Sequence, residues 1–172
     1  MHRHIFSLTT LVAILGHVSA DCQLSNTLTE AETSPETRTE LCIPQGEGSW
    51  TFAMDISEVD VPTFNGGAPW GGLAGHNAYI IYDNACIPRG VYGPSGNDCG
   101  TPYVIEENFL PYVLTVKDID TDLGGGYFKF AYANGLYSIG NNGCTCGDLS
   151  SGLEGEQGCK CAFPLQGEPT KV

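Results

Sequence analysis

The chain has 172 residues, and its 20 acidic residues against 7 lysines and arginines give a formal net charge of −13 at neutral pH. Nucleic-acid binding depends on lysines and arginines that displace counterions from phosphates, and binding to anionic lipid needs a basic stripe. This composition therefore argues against a nucleic-acid partner and against a membrane partner. The length is sufficient for one domain with a substantial hydrophobic core.

The first 20 residues, MHRHIFSLTTLVAILGHVSA, have the pattern of a secretory signal peptide. A short basic start precedes an apolar run at residues 5–16, and residues 18–20 match the small-x-small cleavage pattern. The run is shorter than the roughly 20 apolar residues of a membrane-spanning helix. We expect residues 1–20 to be removed and the rest of the chain to be secreted into the extracellular space.

The composition of the chain predicts two parts after the signal peptide: an acidic, threonine-rich N-terminal arm at residues 21–48 and a disulfide-rich β domain at residues 49–172. The stretch at residues 23–41 has few large apolar side chains to bury, so we expect an extended or mobile segment. Cys22 and Cys42 bracket this stretch and are placed to tether it.

Alternating apolar residues predict the strands of the domain. SWTFAMDISEVDV has the period of a half-buried strand, with Trp50 on its core side, and AYIIYDNAC predicts a second strand. PYVIEENFLPYVLTVKD predicts one or two more, interrupted at Asn108 or Pro111.

The stretch GGGYFKFAYANGLYSIG predicts a β-hairpin, because Asn134–Gly135 is a two-residue turn signal between alternating apolar runs. No stretch has a sustained helical period. We therefore expect an all-β fold, a small disulfide-stapled sandwich or open barrel of about six to eight short antiparallel strands.

An even number of cysteines in a secreted chain predicts a disulfide framework. All eight follow the predicted signal peptide: Cys22, Cys42, Cys86, Cys99, Cys144, Cys146, Cys159 and Cys161. We expect all of them to be paired. Cys86 and Cys99 enclose CIPRGVYGPSGNDC, which has the composition of a surface loop, so a local Cys86–Cys99 bridge is one prediction.

Two Cys-x-Cys pairs lie close together in CTCGDLSSGLEGEQGCKC. Four thiolates can bind zinc, but Cys-x2-Cys is the usual spacing and an oxidising compartment favours disulfides. An antiparallel register that faces Cys144 with Cys161 also faces Cys146 with Cys159. In the alternative, the cysteines of each Cys-x-Cys pair form disulfides with different partners, such as Cys42, Cys86 or Cys99. We favour this alternative slightly, because two adjacent cross-strand bridges would impose the same constraint twice.

Three further features suggest sites. Asp118, Asp120 and Asp122 alternate as calcium ligands do, although the glycine and glutamate of an EF-hand loop are missing. Trp70 lies among glycines, where it is a candidate partner contact. His76 is the one histidine after residue 20 and is a candidate general base.

The signal peptide, length, eight cysteines, acidity and Gly/Tyr-rich β pattern resemble the small cysteine-rich secreted proteins of fungi, which include effectors of plant pathogens. The resemblance implies a non-enzymatic virulence-type protein without a cofactor that binds a host protein or a cell-wall glycan. Two alternatives stay open: a small secreted hydrolase that uses a carboxylate pair, or a calcium- or sugar-binding β module.

Overall fold

In a computed structural model, the protein is described at residues 22–28, 39–57, 77–93, 100–122, 124–150 and 155–168. Ten strands and one 3-10 turn, Thr39–Leu41, occur in these ranges, and the strands form two five-stranded sheets of a β-sandwich. The all-β, disulfide-stapled prediction is confirmed. The strand number exceeds the prediction because several strands of two to five residues are too short to show alternation in the sequence.

Sheet 1 is antiparallel except at one edge, where its first strand pairs in parallel with its neighbour. Its strands in spatial order are β1 (Cys22–Gln23), β5 (Tyr103–Ile105), β6 (Leu114–Asp120), β7 (Tyr127–Tyr132) and β8 (Gly135–Ser138).

Sheet 2 is antiparallel throughout. Its strands in spatial order are β4 (Pro88–Tyr92), β3 (Asn77–Tyr82), β2 (Ser49–Ser57), β10 (Glu156–Pro164) and β9 (Thr145–Asp148). Asn26 protects the β4 edge, since its side chain accepts a hydrogen bond from the Val91 amide and donates one to the Arg89 carbonyl.

Aromatic side chains fill the space between the two sheets. Phe52 on β2 and Tyr137 on β8 both contact Phe130, with ring centroids 4.9 Å apart in each case. Trp50 is buried here as predicted. The alternation that predicted β2 and β7 arises because every second residue points into this core.

The outer face of sheet 2 is also buried, because the N-terminal segment lies across it. Leu41 and Cys42 pack with Ala53, Ile80 and Tyr82 in a second apolar cluster. Lys160 extends the contact, since its ammonium donates a hydrogen bond to the Glu40 carbonyl.

Two described pieces of the predicted N-terminal arm are therefore parts of the fold. Leu24 is 3% exposed and belongs to the cluster between the sheets, while Leu41 is fully buried. Residues 29–38, which carry most of the acidic, threonine-rich stretch, lie outside the described residues. The boundary between residues 48 and 49 stays a prediction.

The β7–β8 hairpin forms as expected, but its turn lies one residue earlier. Tyr132 pairs with Gly135, so Ala133 and Asn134 are the turn residues, and Ala133 has a φ of 50°. Asn134 exchanges hydrogen bonds with the backbone of Glu168, which fixes the C-terminal segment beside the turn.

The predicted Cys86–Cys99 bridge is wrong, because Cys86 pairs with Cys42. Residues 88–92 form β4 rather than a loop, and Cys86 lies in the β3–β4 turn next to residue 42 on the outer face of sheet 2. The bridge clamps the N-terminal segment onto that face.

The preference for mixed partners in the Cys-x-Cys stretch is also wrong. The disulfides are Cys144–Cys161 and Cys146–Cys159, and Cys146 faces Cys159 in the β9–β10 register. Cys22 is disulfide-bonded as well, to a partner outside the described residues. These bridges indicate an oxidising environment.

Candidate functional site

Several residues that the sequence singled out lie outside the described residues: Trp70, His76, Cys99 and the predicted signal peptide. Their roles stay predictions. No helix in the described ranges is both long and apolar enough to cross a bilayer.

The calcium candidates are not brought together. Asp118, Asp120 and Asp122 are all exposed; Asp118 faces Lys129 on β7, and Asp120 accepts a hydrogen bond from the Asp122 amide. Within the described part of the chain, no three His, Cys, Asp or Glu residues are grouped to hold a metal ion. The cysteines of both Cys-x-Cys pairs are bonded to each other, so they do not supply thiolates for zinc.

The strongest candidate site lies at the β5–β6 loop, which occupies residues 106–113. Here a cleft of about 360 Å³ opens at the end of the sandwich. Its described lining comprises Glu106, Glu107, Asn108, Leu110, Pro111, Tyr112 and Val113. We refer to it as the β5–β6 cleft.

Apolar contacts hold the middle of this loop against the core. The Phe109 ring packs on Trp50, with centroids 5.9 Å apart, and Leu110 is buried in the cluster between the sheets. The Leu110 amide donates a hydrogen bond to the Glu107 carbonyl, which closes a tight turn. The loop is therefore fixed by the core, and the cleft is preformed.

One carboxylate of the cleft is tied to the opposite sheet. The Tyr92 hydroxyl on β4 donates a hydrogen bond of 3.1 Å to Oε1 of Glu107. Burial raises the pKa of Tyr92 well above its ordinary value, and the negative charge of Glu107 raises it further. The hydroxyl therefore stays a donor at neutral pH and positions Glu107.

Exposed apolar side chains gather at the same end of sheet 1. Tyr112, Val113 and Leu136 are the large apolar residues that the described part of the chain exposes, and Tyr112 is 46% exposed. The register explains the grouping, since Leu114 faces Tyr132 and Tyr132 faces Gly135.

The Tyr112 ring packs against Tyr132 on β7. Its edge-to-face contact with Tyr132 has a centroid distance of 5.8 Å. The Tyr132 hydroxyl in turn donates a hydrogen bond of 2.7 Å to the Leu165 carbonyl. Tyr112 is therefore an exposed aromatic surface on a packed base.

The β5–β6 cleft combines this ring with hydrogen-bonding groups. Glu106 is exposed, Glu107 is partly buried, and Asn108 contributes an exposed amide. The two oxygens of a carboxylate accept hydrogen bonds, and an amide side chain both donates and accepts them. Such a set can bind a ligand that has an apolar face and several polar groups around its rim.

A second cleft, of about 240 Å³, lies between the β9–β10 connection and residue 124. Its polar groups serve the fold. Oε1 of Gln157 accepts hydrogen bonds from the Gly124 and Gly126 amides. Hydrogen bonds from Ser150 lower the pKa of the Asp148 carboxyl. The β5–β6 cleft is the better candidate because it presents an exposed aromatic ring, Tyr112, whereas the described lining of the second cleft contains no aromatic residue.

Sequence reasoning misses this cleft, because the pattern of residues 102–118 predicts one or two strands interrupted at Asn108 or Pro111. The interruption spans residues 106–113 and contains both Asn108 and Pro111. A useful signal was present, since a Glu-Glu-Asn run and a Pro-Tyr pair are unusual inside a strand.

Comparison of the chain with known protein families, with characterised proteins and with solved structures finds no match.

Proposed function

We propose that this is a secreted, non-enzymatic binding protein of effector type, and that it recognises a cell-wall glycan of a host through the β5–β6 cleft. The observation that carries the proposal is the exposed Tyr112 ring beside Glu106 and Asn108 on a loop that the core holds in place. The disulfides support an extracellular setting.

The chemistry of the cleft suits a sugar. A pyranose ring has an apolar C–H face that packs on an aromatic side chain, and its hydroxyls form hydrogen bonds with planar carboxylates and amides. Because Phe109, Leu110 and the Tyr92–Glu107 bond fix the loop, little conformational entropy is lost when a ligand binds.

A host protein is the other partner considered for this chain, and the surface favours it less. Stable protein–protein interfaces bury about 800 Å² on each partner around an apolar core. Tyr112, Val113 and Leu136 form only a small exposed apolar group, and the cleft of about 360 Å³ that Tyr112 and Val113 line is also lined by glutamates. This arrangement fits a few sugar units better than a broad protein contact.

The experiment is calorimetric titration of the protein with soluble cell-wall oligosaccharides, comparing the wild type with Tyr112→Ala and Leu136→Ala. Leu136 is a matched control, because it is exposed at the same end of sheet 1 but does not line the cleft. We expect at least one oligosaccharide to bind. Tyr112→Ala should weaken binding about tenfold, which corresponds to roughly 1.4 kcal/mol, while Leu136→Ala stays within about twofold.

Two outcomes would overturn the proposal. In one, no oligosaccharide of the panel binds the folded protein. In the other, binding occurs and Tyr112→Ala leaves it unchanged, which places the site elsewhere. If the wild type captures a host protein, and both Tyr112→Ala and Leu136→Ala fail to capture it, a protein partner is favoured instead.

A further inference from the structure

We infer that the glycan bound by the β5–β6 cleft carries free amino groups, so that the ligand is a cationic oligosaccharide. The inference rests on the proposed function and adds the chemical class of the sugar. It is carried by the charge of the cleft and by the positions of the neighbouring cations.

The described lining of the cleft contains two carboxylates, Glu106 and Glu107, and no lysine, arginine or histidine. Glu106 is exposed, and Glu107 is held by Tyr92 through Oε1. Both side chains are therefore presented at one opening without a positive partner among the described lining residues. An acidic sugar would be repelled there, and a sugar with protonated amines would be attracted.

The basic residues of the described ranges are placed elsewhere. Arg89 lies 3.8 Å from Asp83, and Lys160 donates to the Glu40 carbonyl. Lys129 faces Asp118 across β6 and β7, and Lys117 is exposed on β6 outside the cleft lining. Among the described residues, no lysine or arginine is placed to complement the negative charge of the cleft, which leaves the cleft open to a cationic ligand.

The aromatic ring of the cleft adds to this preference. An ammonium group that lies over a tyrosine face within about 6 Å of its centroid gains roughly 0.5–1 kcal/mol at an exposed site. Hydrogen bonds from an ammonium to a carboxylate are roughly twice as strong as neutral ones. Tyr112 and the two glutamates thus offer an amino sugar both a ring to pack on and charged acceptors.

The test titrates the wild-type protein with three β-1,4-linked tetrasaccharides built from glucosamine, N-acetylglucosamine or glucose. The titration is run at about pH 5.5, so that the sugar amines are protonated. We expect the glucosamine tetramer to bind at least about tenfold more tightly than the other two at low salt. The advantage should shrink to about twofold in roughly 1 M NaCl, where the screening length is about 3 Å.

Two charge-matched variants locate the effect. Glu106→Gln removes one charge from the cleft, and Asp118→Asn removes one from the outer face of sheet 1; both residues are exposed, so neither change should impair folding. Glu106→Gln should reduce the preference for the glucosamine tetramer about fivefold or more, whereas Asp118→Asn should leave it unchanged.

The results separate this inference from the proposed function. The inference fails, and glycan recognition stands, if the glucosamine tetramer binds no better than the other two tetramers. The same holds if a neutral oligosaccharide binds and the glucosamine tetramer does not. If the whole oligosaccharide panel also fails to bind, the proposed function fails too. An equal loss in Glu106→Gln and Asp118→Asn would show a general charge effect and would overturn the cleft as its source.

Discussion

The two sheets of the sandwich share one core but differ on their outer faces. On sheet 2 the outer face is covered, since Leu41 and Cys42 pack with Ile80, Tyr82 and their neighbours. On sheet 1 the end near the β7–β8 turn exposes Tyr112, Val113 and Leu136. The chain thus uses its N-terminal segment to bury one outer face and leaves the other in solvent.

This difference separates the sheet that stabilises the fold from the sheet that carries the proposed binding cleft. Sheet 2 contains β2 and β10, which pair over nine residues each. Leu41 and Cys42 form the cover of its outer face, and the Cys42–Cys86 bridge holds this cover in place. Sheet 1 supplies β5 and β6, whose connecting loop forms the cleft. Substitutions on the outer face of sheet 2 should therefore affect folding, whereas substitutions in the lining of the β5–β6 cleft should affect the proposed glycan binding.

The largest effect is expected from opening the cover of sheet 2. Replacing Cys42 and Cys86 together with alanine removes a bridge between residues 44 positions apart. A loop of that length corresponds to about 4 kcal/mol of stability on the chain-entropy model. The free energy of unfolding, measured by urea denaturation, should fall by about that amount.

The matched control is the double variant Cys146→Ala with Cys159→Ala. The Cys144–Cys161 bridge encloses this pair and keeps the same strands together, so most of the loop entropy stays removed. We expect a loss of about 1 kcal/mol or less from this pair. Equal losses from the two double variants would contradict the clamping role of Cys42–Cys86.

A single apolar truncation on each outer face tests the same contrast. Ile80→Ala removes a fully buried side chain from sheet 2 and should cost about 2–5 kcal/mol in urea unfolding. Leu136→Ala removes a side chain that is 51% exposed on sheet 1 and should cost about 0.5 kcal/mol or less. Similar costs at both positions would mean that the outer faces do not differ as described.

A glycine pair on sheet 2 probes how closely the cover packs. Gly158 on β10 faces Gly147 on β9, but a Cβ at Gly158 would collide with the side chains of Leu41 and Leu149, while one at Gly147 meets open space. Gly158→Ala should lower the free energy of unfolding by about 1–3 kcal/mol. Gly147→Ala should be nearly neutral, and a loss of the same size there would show that the cover is not the cause.

A further prediction concerns the stability of the inter-sheet core at alkaline pH. Burial raises the pKa of Tyr79, Tyr92, Tyr132 and Tyr137 above the ordinary value of 10.0. The unfolded state therefore loses these protons first, so stability is constant up to about pH 10 and falls above it. Melting temperatures between about pH 7 and 11 test this, and a flat profile above pH 10 would contradict it.

The sequence was informative wherever alternation and turn chemistry act locally. The alternation around Trp50 predicted β2, and the Asn134–Gly135 signal predicted the hairpin to within one residue. Cys86 pairs with Cys42 because the chain crosses sheet 2, and no local pattern encodes that crossing. The cleft was missed for a related reason, since Glu107 and Tyr92 meet only when the two sheets stack.

The decisive test of glycan binding at the β5–β6 cleft is backbone resonance mapping by NMR, which follows the amide shifts of the folded protein during titration with the glucosamine tetramer. We expect the shifted amides to cluster at residues 106–113 and at the neighbouring β7–β8 turn, while those of Leu41, Cys42 and Ile80 on the outer face of sheet 2 stay in place. Shifts centred on sheet 2, or no shifts at any concentration, would contradict it.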